Sequence, residues 1–135
     1  MDLVKKTLKN SHPDLFVEVE KEAIYNLKEL AGACQEALRD NIFNIIENKV
    51  KLLMFPIEDD DLCGFTCNYK EINFIYINTY IPLEKQIFAV GHELYHFIKD
   101  KDDSHELLKD NILVGECNEI DIEEKKANLF SALLL

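Results

Sequence analysis

Residues 92–96 of the chain read His-Glu-Leu-Tyr-His, and this spacing constrains the fold more than any other feature of the sequence. On an α-helix, side chains four positions apart lie on one face, so His92 and His96 can present two imidazole nitrogens to one metal ion. Glu93 lies beside that pair, where its carboxylate can take a proton from metal-bound water. The pattern therefore predicts a metal-binding helix and a hydrolytic reaction.

The composition is that of one globular domain with a modest core, because the 135 residues are 47% hydrophobic and include only four Gly and three Pro. No apolar run is long enough to cross a bilayer, and the N-terminus lacks a secretory signal, so we expect a cytoplasmic protein without a membrane partner. The net charge of −11 opposes direct contact with nucleic acid. It is compatible with a basic protein partner, such as a DNA-binding protein.

Hydrophobic periodicity divides the domain into four segments. Residues 1–48 are predicted to be helical, with a long amphipathic helix from Val17 to Leu38 that covers a sheet and a shorter one from Asp40 to Asn48. Residues 49–80 are predicted to form a small sheet with an exposed edge. Its three strands are Val50–Phe55, Leu62–Asn68 and Ile72–Asn78, the last two forming a hairpin, and the acidic run 58–61 is a solvated turn.

The third and fourth segments are helices, at residues 81–99 and 119–135. Pro82 fits the first turn of the motif helix, whose apolar stripe lies nearly opposite His92 and His96 and comprises Leu83, Ile87, Val90, Leu94 and Phe97. Gly91, in the middle of that helix, predicts that another backbone approaches closely. The fold class is therefore α+β, with a small twisted sheet packed against helices.

A catalytic zinc usually takes three protein ligands, so the sequence must supply one more. Asp102 has the spacing of a third ligand, but no glycine turns the chain back toward the motif, and His105 lies in a polar segment typical of an exposed loop. Glu124 is the better candidate, with Glu123 as the fallback. The competing interpretation is that Asp121 and Glu124 form a capping box at the start of the last helix.

The last helix has two different faces. Its large apolar side comprises Ile122, Leu129, Phe130 and Leu133, whereas Glu124 lies opposite with Asn128 and Ser131, flanked by Ala127. A face of small residues allows another helix to approach closely. From one turn away, Asn128 is predicted to orient the Glu124 carboxylate by a hydrogen bond.

Two longer motifs carry a family resemblance. Residues 72–78, Ile-Asn-Phe-Ile-Tyr-Ile-Asn, lead through residues 86–91, Gln-Ile-Phe-Ala-Val-Gly, into the His-Glu-x-x-His run, and residues 124–131 read Glu-Lys-Lys-Ala-Asn-Leu-Phe-Ser. Over about the C-terminal two-thirds, the chain resembles the ImmA/IrrE family of metallopeptidases, with Ser131 where that family often has Ala. It ends at Leu135, short of the usual Leu-Leu-Met-Pro-like end, which we interpret as a minimal member or a trimmed form.

The resemblance implies a minimal zincin-like, gluzincin-type metalloprotease domain. Matched residue by residue, it implies one Zn²⁺ per chain, held by His92, His96 and Glu124, with Glu93 as the catalytic carboxylate. It further implies a narrow protein substrate, a helix-turn-helix DNA-binding repressor of a mobile element or stress regulon, so that the protein acts as an anti-repressor. The alternative is a zinc-containing interaction module that sequesters a repressor without cutting it.

The reaction that these residues predict is metal-assisted peptide hydrolysis. Zinc lowers the pKa of its bound water toward about 7, Glu93 accepts the proton as hydroxide attacks the carbonyl, and Glu93 then passes it to the leaving amine. His105 and Tyr95 are the predicted additional donors to the oxyanion. An extended substrate is predicted to add to an exposed edge of the sheet.

Overall fold

A computed structural model describes residue 10 and residues 13–99, 108–109 and 119–135 of the chain. The elements follow in the order α1 (Pro13–Ala31), α2 (Gln35–Asp40), α3 (Ile42–Glu47), β1 (Lys51–Phe55), β2 (Leu62–Tyr69), β3 (Ile72–Asn78), α4 (Leu83–Lys99), β4 (Leu108–Lys109) and α5 (Glu119–Leu134). The predicted α+β class is confirmed. Among the described residues, no helix is both long and apolar enough to cross a membrane.

The helix predicted from Val17 to Leu38 is divided into two helices, α1 and α2, in the structure. The first helix ends at Ala31 because Gly32 and Ala33 adopt positive φ angles of 60° and 70°. Their amides bond back to the carbonyl oxygens of Lys28 and Leu27, at 3.0 and 3.2 Å, which satisfies the end of α1 before α2 begins. A glycine that follows an apolar repeat signals the end of a helix. Here it ends α1, although apolar residues continue at helical spacing to Leu38.

The three predicted strands are confirmed to within one or two residues. The sheet has the order β1-β3-β2-β4, with β1 parallel to β3 and β2 antiparallel to both β3 and β4. Lys70 and Glu71 connect β2 to β3 with positive φ angles of 50° and 67°, as a type I′ hairpin turn requires. Among the described strands, β1 forms one edge of the sheet, as expected.

The helices are layered differently from the expectation. The motif helix α4 contacts β2 and β3, α5 packs on α4, and α1 packs chiefly on α5 rather than covering the sheet. Ile24 of α1 is consequently exposed. With the sheet on one side and α5 on the other, α4 is buried at every position from Ala89 to His96. Within this stretch, its polar side is enclosed as completely as its apolar side.

Candidate metal centre

Two imidazoles lie side by side in the buried middle of α4. The Nε2 atoms of His92 and His96 are 3.1 Å apart, and each side chain is only 1–2% exposed. The two histidines are buried because α4 lies between the sheet and α5, which exclude water from this turn of the helix. The helix thus presents two nitrogen donors to the same point, as the four-residue spacing predicts.

The third group comes from α5. Glu124 places Oε2 2.7 Å from His92 Nε2 and Oε1 3.1 Å from His96 Nε2. The fallback candidate Glu123 is about half exposed and lies 3.5 Å from Lys126. The capping-box interpretation is wrong, because α5 begins at Glu119, two residues before Asp121, and the Glu124 carboxylate faces the histidines. The other two candidates, at positions 102 and 105, lie outside the described residues.

The donor set fits a metal ion of the zinc type. His92, His96 and Glu124 each offer one ligand atom, and these atoms all lie within 4.8 Å of one another; the residues that the structure describes contain no other such group of three. Ligands about 2.0–2.1 Å from a tetrahedral zinc would stand about 3.3 Å apart, and the separations here are somewhat shorter, at 2.7 Å and twice 3.1 Å. The buried group could therefore bind a metal ion with small adjustments.

Hydrogen-bond accounting at His92 supports the same conclusion. An acceptor stands 2.7 Å from each ring nitrogen, with Asn128 Oδ1 at Nδ1 and Glu124 Oε2 at Nε2. A neutral imidazole has a single N–H and can satisfy only one of them. A cation between Nε2 and the carboxylate satisfies the other without charging the ring. The arrangement is thus the one expected of a metal ligand with its outer support in place.

Asn128 supports the site through a different partner from the one that we predicted. Its Oδ1 accepts a hydrogen bond from His92 Nδ1 and does not contact the Glu124 carboxylate. This bond keeps the Nδ1 proton in place and leaves the Nε2 lone pair for a metal. The sequence indicates that Asn128 supports a metal ligand, whereas which ligand it supports depends on how far α5 is rotated against α4.

The charge of Glu124 also suits a cation. Burial would by itself raise the pKa of its carboxyl, but the close contacts with the His92 and His96 rings bring the pKa well below its usual range. The group is therefore ionised at neutral pH.

Glu93 lies next to the three-residue group and is completely buried. Its Oε1 accepts a hydrogen bond of 2.7 Å from Thr66 Oγ1, whereas Oε2 has no hydrogen-bond partner in the described part of the chain and lies 3.9 Å from His92 Nε2. Burial raises the pKa of Glu93 to about 7, against the opposing effects of His96 and the Thr66 hydroxyl and with a further increase from the Glu124 charge. Such a carboxylate can exchange a proton near neutral pH.

A comparison with protein families assigns the chain. The model of the IrrE N-terminal-like domain, Peptidase_M78, matches residues 47–135. The chain belongs to this family. No curated protein and no solved structure matches it. The matched region contains the sheet, α4 and α5, and hence His92, Glu93, His96 and Glu124. The resemblance to the ImmA/IrrE family that the two motifs carry is confirmed. The IrrE N-terminal-like chain is thus a metallopeptidase-type domain.

Close contact between α4 and α5 brings the centre of this IrrE N-terminal-like domain together. A Cβ on Gly91 would overlap the Ser131 side chain, so the other helix does approach closely at Gly91, but the atoms that meet it belong to a side chain and not to the backbone as predicted. Ser131 Oγ also donates a 2.7 Å hydrogen bond to the Phe88 carbonyl. The small residues of both helices therefore set the distance at which Glu124 reaches the histidines.

The predicted oxyanion donors are His105 and Tyr95. His105 lies outside the described residues. Tyr95 is buried in the core, with its ring centroid 5.3 Å from that of Phe130 and 6.2 Å from that of His96, and with Lys99 Nζ 5.9 Å above it. These ring contacts favour a packing role for Tyr95, and its oxyanion role stays a prediction.

Thr66 is the residue of the centre that the sequence did not reveal. Strand β2 reads as an ordinary half-buried strand, and nothing in its local pattern connects it to a motif 27 positions away. The signal that could reveal Thr66 is its hydroxyl on a face of the sheet where the neighbouring residues Ile75 and Ile77 are apolar and fully buried.

Proposed function

We propose that this IrrE N-terminal-like domain is a zinc-dependent peptidase whose proton-transfer group is Glu93. The observation that carries the proposal is the pairing of a buried His92–His96–Glu124 group with the buried carboxylate of Glu93, one oxygen of which has no hydrogen-bond partner among the described residues. A purely structural zinc site more often closes with four protein ligands and has no use for Glu93.

His92, His96 and Glu124 are the residues that would hold the ion, with the carboxylate offsetting half of its charge. When bound, zinc supplies a Lewis acid that polarises the scissile carbonyl and acidifies water. Asn128 keeps His92 in the tautomer that this requires. Enclosure by the sheet and α5 keeps these groups away from competing solvent, which strengthens every electrostatic interaction among them.

Glu93 moves the proton. As the water oxygen attacks the carbonyl carbon, Glu93 takes a proton from that water, and it then gives the proton to the amine nitrogen as the C–N bond breaks. Burial raises the pKa of Glu93 above its ordinary value, which favours a carboxylate that can hold the proton until the amine takes it. The same residue thus serves as base and then as acid.

The proposed substrate is a specific cytoplasmic protein, a helix-turn-helix repressor. The resemblance to the ImmA/IrrE family suggests it, and the chain's net charge of −11 suits a basic, DNA-binding partner better than nucleic acid itself. Narrow selectivity is part of the proposal. Rapid, indiscriminate degradation of casein by the purified zinc-loaded protein would contradict it.

The test compares the zinc-loaded native protein with the Glu93→Gln variant on a panel of purified helix-turn-helix repressors. Mass spectrometry of the products identifies new N-termini. The matched control is Glu29→Gln, the same chemical change at an exposed position of α1. We expect cleavage by the native protein and the control, and none by Glu93→Gln. Repressor binding without cleavage by any of the three would favour the sequestering module.

A further inference from the structure

Thr66 is a buried polar residue in an apolar setting. It lies on the face of β2 that contacts α4, only 3% exposed, and it pairs with the fully buried Ile75 of β3. A hydroxyl in such a place destabilises the fold unless it is hydrogen-bonded. Its hydroxyl is within reach of two acceptors, both of Glu93, namely Oε1 at 2.7 Å and the backbone oxygen at 3.2 Å.

The two ends of this hydrogen bond differ in stiffness. Threonine branches at Cβ and has one rotatable bond before its hydroxyl, which restricts where the oxygen can lie. The Thr66 backbone is fixed by antiparallel pairing with Ile75. Glu93 instead reaches its carboxylate through three rotatable bonds. The sheet therefore provides the fixed point, and the carboxylate adopts the position that the sheet sets.

The hydrogen bond also distinguishes the two oxygens of Glu93. Oε1 is bound to Thr66, whereas Oε2 has no hydrogen-bond partner among the described residues and is the oxygen 3.9 Å from His92 Nε2. Without the hydroxyl, nothing in the described contacts would prevent the carboxylate from turning about its last bond. The Thr66 contact thus sets the orientation of the carboxylate and the distance of Oε2 from the three-residue group.

We propose that Thr66 is the positioning residue of Glu93, holding Oε1 so that Oε2 is directed at the water that attacks the peptide. The inference rests on the proposed function. A proton acceptor must come within about 2.6–3.2 Å of the group that it deprotonates, and a displacement of about 1 Å can lower a rate by about 100-fold. Thr66 touches neither substrate nor metal, so its effect passes through Glu93.

The kinetic test uses two substitutions of the same residue in the zinc-loaded protein, with the repressor cleaved in the assay above as substrate. Thr66→Val keeps the shape and removes the donor, and we expect kcat to fall about 10- to 100-fold with KM and zinc stoichiometry unchanged. Thr66→Ser keeps the donor and should retain kcat within a few-fold. Ile75→Val, a packing change at the cross-strand neighbour, is the control and should retain native kcat.

A second measurement does not depend on activity. In crystal structures of the zinc-loaded variants, Glu93 Oε2 should be displaced in Thr66→Val and in its native place in Thr66→Ser. An undisplaced carboxylate in Thr66→Val, native kcat in that variant, or equal losses in Val and Ser would each overturn the inference. If the native protein cleaves none of the repressors, the proposed function fails, whereas the crystal structures still decide whether Thr66 positions Glu93.

Discussion

Asn128 Oδ1 lies 2.7 Å from His92 Nδ1, and this hydrogen bond connects the two helices that build the centre. Asn128 follows Glu124 by one turn of α5, so the same helix supplies both an anionic donor and the support for the facing imidazole. Because the bond fixes which nitrogen of His92 carries the proton, it prepares the other nitrogen for a metal before any metal arrives. The two helices therefore form one unit in which ligand and support move together.

Removing the Asn128 acceptor should weaken zinc binding. We expect Asn128→Ala to lower zinc affinity about 10- to 100-fold, the usual effect of losing a group that orients a ligand. Asn128→Asp keeps an acceptor at the same place and should bind zinc at least as tightly as the native protein. Competition with a chromophoric chelator measures both affinities. Equal zinc affinity in the native protein and Asn128→Ala would show that the bond does not orient His92.

A methyl group at Gly91 should force the two helices apart. Gly91→Ala places a Cβ against the Ser131 side chain, and overpacking of this kind destabilises a fold by about 1–3 kcal/mol. Alanine also stabilises a helix by about 1 kcal/mol relative to glycine, so the net loss should be smaller. Because α5 carries Glu124, zinc affinity should fall as well. Urea unfolding and chelator competition measure the two effects.

The Ser131→Gly background provides the control for that substitution. There the Ser131 side chain is gone, the Leu135 Cδ1 methyl 3.0 Å from the new Cβ lies at the end of a flexible side chain that can shift, and the gain in helix propensity remains. Gly91→Ala should therefore change sign and stabilise the protein. Destabilisation by Gly91→Ala in both backgrounds would mean that contact with Ser131 is not what requires a glycine.

Buried Glu93 should make the metal-free protein lose stability as the pH rises. Its pKa is about 7 in the folded protein and 4.5 ordinarily, so the folded state binds more protons between those values. The free energy of unfolding should therefore fall across pH 4.5–7, by up to about 3 kcal/mol. Glu93→Gln lacks this titration, so its stability relative to the native protein should rise through the same window and level off above pH 7.

Urea unfolding of the metal-free proteins at a series of pH values tests this. Glu29→Gln, the same change at an exposed site on α1, should follow the native curve. A difference between Glu93→Gln and the native protein that is the same at pH 4.5 and pH 7 would contradict the raised pKa.

The parts of the centre that the sequence predicted are those set by local spacing. His92, Glu93 and His96 lie within one turn of a helix, so their arrangement follows from helical geometry alone. The three strands follow from short apolar runs with turn residues between them. The small-residue face of the last helix and the family resemblance indicate Glu124 as a ligand, but the sequence alone also permits a capping role. Only the geometry of α5 distinguishes the two.

The parts that the sequence did not predict depend on how separate elements pack. Thr66 meets Glu93 because β2 crosses beneath α4, and the hydrogen-bond partner of Asn128 depends on the rotation of α5. Periodicity also continued the first helix to Leu38, although Gly32 and Ala33 turn the chain at its true end. Periodicity predicts that α1 covers the sheet, but an amphipathic pattern does not specify which element packs on the apolar face. In the structure that element is α5.

Zinc content is the most direct test of the centre. Zinc is added to native protein purified without chelator and to the variants His92→Ala, Glu124→Ala and Glu123→Ala. After dialysis, the zinc content of each protein is measured by inductively coupled plasma mass spectrometry. Glu123 is the matched control, a half-exposed glutamate one position before Glu124 on the same helix. We predict one zinc per chain in the native protein and in Glu123→Ala, with loss or severe weakening in the other two. Absence of zinc from the native protein even after its addition, or retention of zinc by both His92→Ala and Glu124→Ala, would contradict the account.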